Sequence, residues 1–145
     1  MTDFDAEEIA RYARNNAYGF NLLTIAYLRE QGLSVADWAR WLGHKFAGPE
    51  TNWVPGMGAR KMAHEAAKEL VSMKADVLDL SGNDEESAVV FVWPSEEDLS
   101  DLHLSRDDIK DGWVGWEPLA ASVGLRVSFA TNSDGVTTLT FSKAR

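Results

Sequence analysis

Apolar side chains recur at helical spacing through the first half of the chain and at strand spacing through its last quarter. Over residues 5–31 they fall at Ile9, Tyr12, Phe20, Leu23 and Tyr27, a period that puts them on one helix face, expected to turn inward. Asp3, Asp5, Glu7 and Glu8 near the start complement the macrodipole, and Gly32 supplies a stop. Ser34 reads as the N-cap of a second helix. Its inward stripe is Val35, Trp38, Ala39, Leu42 and Phe46, broken by Gly48 and Pro49. A Gly- and Pro-bearing loop over 48–58 leads into a third helix, about 57–75, with Met62, Ala66, Leu70, Met73 and Val77 on one face.

The pattern then changes. Residues 81–87 form a polar turn, and 88–93 are a short apolar run ended by Pro94, the length of a buried strand. The acidic stretch 95–111 reads as one or two short helical turns, and 117–123 as another short helix closed by Gly124. Two β-prone runs, 125–130 and 136–142, flank Asp134-Gly135, a hairpin signal. The expected fold class is α+β: an N-terminal layer of three helices on a small C-terminal antiparallel sheet with short helical insertions. A length of 145 residues fits one domain, mainly helical over 1–80 and mainly strands and short helices over 81–145.

Composition narrows the function. With no cysteine there is no disulfide framework, thiolate nucleophile or zinc knuckle. The net charge of −9 opposes non-specific nucleic-acid binding. No run approaches the ~18 apolar residues of a membrane span, and the N-terminus lacks a signal-peptide pattern, so the expectation is a cytoplasmic protein without a membrane partner. Neither GxxxxGK[ST] nor GxGxxG is present, and HExxH and the GxSxG elbow are missing too. No cofactor and no metal are therefore expected. The three histidines, His44, His64 and His103, read as surface residues, and the acidic stretch reads as a solvated face without EF-hand spacing.

Three features carry candidate chemistry. Residues 44–74 hold five basic against three acidic side chains, a local positive segment in an acidic chain. Within it, Gly56, Gly58, Arg60 and Lys61 mark a glycine-bearing turn entering a helix, where free N–H groups and two cations could cradle a carboxylate or phosphate. The plainer account is a Gly-rich loop followed by solvated basic residues. The six tryptophans are the second feature. Trp38 belongs to the inward stripe and so to the core. Trp41 lies about 120° from that stripe, while Trp53, Trp113 and Trp116 fall in loops. Such indoles pack under loops, line a pocket or cover a dimer interface. Asn16 is the third, a polar residue on the apolar stripe of the first helix. A buried amide there either bonds to another buried polar group or projects into a ligand cavity.

One local resemblance stands beside these. Gln31-Gly32-Leu33-Ser34, then Ala36, Trp38-Ala39 and Leu42-Gly43, is similar to the first half of helix-turn-helix repressors. The resemblance implies a recognition helix opening almost at once. Here 44–49 instead continue the second helix and then break it, which with the charge leaves nucleic acid outside the expected partners.

The leading expectation is a small-molecule site between helices and sheet, with or without cofactor-independent lyase, isomerase or hydrolase chemistry. It would take a ligand with an apolar or aromatic body and an anionic group. The anion meets Gly56, Gly58, Arg60 and Lys61, and Trp41, Trp53, Trp113 or Trp116 line the body. The rival expectation is an acidic interaction or regulatory module that homodimerises through exposed tryptophans, Trp41 foremost.

Overall fold

The computed structural model describes residues 3–48 and 53–144. Helices α1 (Ala6–Glu30), α2 (Val35–Phe46) and α3 (Ala59–Ser72) come first, followed by the hairpin β1 (Asp76–Gly82) and β2 (Glu86–Val92). Short helices α4 (Glu96–Asp101) and α5 (Arg106–Gly112), a 3-10 turn (Trp113–Gly115) and α6 (Trp116–Ser122) lead to β3 (Leu125–Thr131) and β4 (Val136–Lys143). The four strands form one antiparallel sheet in the order β1-β2-β4-β3. The fold is α+β.

Side-chain caps place several boundaries. Asp5, Ser34, Ser95 and Ser105 each accept a backbone N–H of the helix they open, and Ser105 with Asp108 completes a capping box. The hairpin expected at Asp134-Gly135 joins β3 to β4, and Asn132 Oδ1 accepts the N–H groups of Asp134 and Val136.

The sheet has one covered face. Ser87, Val89 and Phe91 of β2 and Thr137, Leu139 and Phe141 of β4 are buried, alternating with half-buried neighbours. Above them lies α3, whose Ala59, Met62, Ala63, Ala66 and Leu70 are fully buried. Three alanines bring this helix close to the sheet.

Two expectations need correction. The third helix stops at Ser72 rather than near 75, because Lys74 takes a left-handed backbone (φ 64°) and turns the chain. Val77, assigned to that helix from its spacing, belongs to β1, and the polar turn over 81–87 is the tip of the β1–β2 hairpin. The first helix is also turned over. Its buried residues are Leu22, Ile25 and Ala26, helped by Tyr18 and Leu28, whereas Ile9, Tyr12, Phe20, Leu23 and Tyr27 face outward. The helix is apolar on two opposite sides, and the side of Leu22, Ile25 and Ala26 is the one that packs.

Helix α2 crosses the turn before α6 in backbone contact. A Cβ on Gly43 would stand 2.2 Å from the Gly115 carbonyl oxygen and 2.6 Å from Pro118 Cγ. One on Gly115 would stand 2.8 Å from the Ala39 carbonyl oxygen. Neither position has room for a methyl group. Gly43→Ala is therefore expected to cost about 2–3 kcal/mol and to lower Tm by roughly 5–10 °C in a chain of this size, read by thermal unfolding.

Candidate functional site

The crossing at Gly43 leaves a cavity beside it. Side chains of α2 that are too large for the contact itself, Trp38, Leu42 and Phe46, stand over Trp113, Trp116 and Leu119. Trp53, Trp93, Met73 and Asn21 complete this part of the lining. The volume is about 160 Å³, close to the ~150 Å³ of an apolar cavity that admits benzene.

The walls are an aromatic network. Trp93 and Trp113 meet edge to face with centroids 5.5 Å apart, and Trp53 and Trp116 do so at 5.7 Å. Phe91 and Phe141 of the sheet support Trp113 and Trp116 from below. The Trp93 indole N–H donates to the Met73 carbonyl at 2.8 Å, tying the end of β2 to the end of α3. Such pairs fix ring positions as well as burying area.

One ionisable side chain appears among the described lining residues, and it is acidic. Glu69 projects from α3 into this space, half-buried, and burial pushes its carboxyl above the usual carboxylate range. Among the described residues its carboxylate has no hydrogen-bond or ion-pair partner. Next to the cavity, the Tyr18 hydroxyl donates to Asp98 Oδ2 under the edge of Trp93, with the Lys74 ammonium 5.1 Å from the Tyr18 ring centre. Burial and the Asp98 carboxylate raise the phenol, and the same hydrogen bond holds Asp98 below its ordinary value.

The sequence-derived candidates separate into two groups. Trp53, Trp113 and Trp116 come together on the cavity wall. The others lie outside it. Trp41 is 57% exposed on the outer side of α2, with Lys45 Nζ 5.9 Å from its ring centre. Asn16 is exposed on the outward stripe of α1. Arg60 and Lys61 are exposed on the first turn of α3, and Gly56 and Gly58 precede it. That helix start already meets the protein's own acid: the Ala59 N–H donates to the Asp84 carbonyl, and the Asp84 carboxyl packs against Gly58.

Trp38, Trp93 and Glu69 are the members that spacing did not single out for a site. Glu69 carried only a weak signal. At 100° per residue it borders the apolar sector of α3, about 20° beyond its edge at Met62. Among the described residues, no group of three or more His, Asp or Glu side chains is placed to hold a metal ion, and no helix is long and apolar enough to cross a membrane. No protein-family model and no curated protein matches the chain.

The raised carboxyl has a consequence for stability. The fold favours protonated Glu69, so its contribution is fully present below about pH 4.5 and is lost as pH rises through the folded-state value. Glu69→Gln keeps the shape and stays neutral. It is expected to raise Tm by a few °C at most at neutral pH, since partial exposure screens the charge, and to match the parent near pH 4, measured by calorimetry across that range.

Proposed function

We propose that the protein is a small-molecule-binding domain whose ligand occupies the tryptophan-walled cavity. The observation that carries this reading is an apolar space of about 160 Å³ whose described lining holds five indoles and one carboxyl, that of Glu69. A ligand of that size has a compact apolar or aromatic body, on the scale of one ring. Its polar group is a cation or a hydrogen-bond donor. Indole faces attract organic cations through the ring quadrupole, and a desolvated carboxylate needs a donor. The anionic group expected from Arg60 and Lys61 is set aside, because the charge inside the cavity has the opposite sign. A carboxyl with a raised pKa is also suited to proton transfer, so binding and acid–base chemistry share one residue.

Calorimetric titration with benzylamine, toluene and benzoate tests this on ligands of one size and three charges. Benzylamine is expected to bind with Kd on the order of 0.1–1 mM, toluene about tenfold more weakly and benzoate most weakly. Glu69→Gln should bring benzylamine and toluene level. If none of the three displaces the NMR methyl signals of Ile25 and Leu42, the cavity is not a ligand site. Equal binding of all three by the parent would leave the cavity and remove the role of Glu69.

A further inference from the structure

The outward side of α1 is the largest feature that the cavity does not use. Ile9, Tyr12, Phe20, Leu23 and Tyr27 lie there with exposures between 50% for Ile9 and 71% for Phe20. Their face is opposite the one that Leu22 and Ile25 bury. From Ala6 the residues Ile9, Ala13, Asn16, Phe20, Leu23 and Tyr27 follow at spacings of 3, 4, 3, 4, 3 and 4, three heptads of a coiled-coil seam. The seam has no charged residue from Ala6 to Tyr27. Ala10, Ala13 and Ala17 line one wall of an open groove of about 740 Å³ beside α3 and β1, whose lining also includes Arg14, His64 and Lys68. Residues 6–13, the first two turns of α1, are exposed all round.

We infer that this face pairs with the same face of a second copy, the two α1 helices running antiparallel. Area supports a protein partner. At 150–250 Å² per aromatic side chain, the five large residues offer roughly 500–600 Å² per copy. The small residues between them bring the face toward the ~800 Å² per partner of a standard interface. Charge permits a second copy. Helix α1 contains Glu7, Glu8 and Glu30 against Arg11, Arg14 and Arg29 and is neutral, in a chain of net charge −9. Two copies can therefore meet along α1 without like-charge opposition, as they could not along the acidic stretch 96–111. A membrane surface fits poorly, since an interfacial helix carries Lys and Arg on its polar side in excess.

Direction follows from the ends. A parallel pair would bring Asp3, Asp5, Glu7 and Glu8 of both copies together and align the helix dipoles. The antiparallel pair separates those acids. With its two-fold axis beside residue 18, it sets Ile9 against Tyr27, Ala13 against Leu23 and Asn16 against Phe20, the alternate seam positions that antiparallel helices interdigitate.

Light scattering and sedimentation of the full chain at 5–100 µM are the test. The expected mass is twice the 16.1 kDa of the chain. Phe20→Glu should raise the dimer dissociation constant about 30-fold or more with an unchanged circular-dichroism spectrum, because Phe20 makes no core contact. Phe20→Leu should remain dimeric, as should Trp41→Glu. Oxidising an equimolar mixture of Ile9→Cys and Tyr27→Cys proteins should give a cross-linked heterodimer, since the chain has no other cysteine. A monomer across the whole range overturns the inference. So does a dimer that Phe20→Glu leaves intact while Trp41→Glu dissolves it. Cross-linking only within each cysteine variant overturns the antiparallel arrangement.

Discussion

The packing of this protein turns on a place where two backbones touch. Gly43 of α2 rests on the carbonyl of Gly115, and Gly115 on that of Ala39. Because no side chain intervenes, α2 sits low over the turn between α5 and α6. Its larger residues, one turn to either side, then have to spread over whatever lies beneath. What lies beneath is Trp113 and Trp116, held on the sheet by Phe91 and Phe141. Large rings beside a contact of minimal thickness do not fill space completely, and the gap they leave is the cavity.

The described lining of that cavity includes one half-buried carboxyl, Glu69. Partial burial of Glu69 opposes the charged form. An apolar residue there would pack without that penalty. Among the described residues no buried side-chain polar atom lacks a hydrogen-bond partner, so the cost at Glu69 is one of partial desolvation. Two other charged contacts sit at element junctions. Arg29 of α1 meets Asp108 at 2.7 Å, and Arg106 meets Glu96 and the Trp93 carbonyl. These contacts fasten α1 to α5 and α5 to the end of β2, around the cavity rather than within it.

Much of the fold was legible because local chemistry and tertiary packing agree. Ser34, Gly32, Gly124 and Asp134-Gly135 mark boundaries that the structure keeps. Where reading by local rules went astray, a residue acted against its type. Lys74 adopts a left-handed backbone usually left to glycine or asparagine, so the end of α3 and the start of β1 carried no punctuation. Periodicity found the aromatic stripe of α1 but could not tell a face turned toward the core from one turned away. The same limit applies at the site. That Trp53, Trp113 and Trp116 converge depends on the Gly43 crossing, a contact between residues 72 positions apart. Trp93 looked like the end of a strand, which it follows, and Glu69 like any exposed helix acid.

The aromatic network also sets how this molecule interacts with light. Indoles and a phenol held edge to face at 5–6 Å have coupled electronic transitions, so their absorption is shared rather than local. Coupled pairs in fixed, twisted orientations produce paired bands of opposite sign in the far-ultraviolet dichroism, superimposed on the amide signal. A helix content deduced from that spectrum alone would therefore be distorted by a term of purely side-chain origin. The same term is a direct gauge of packing. It depends on ring angles, and would vanish in a loosened globule that kept every helix.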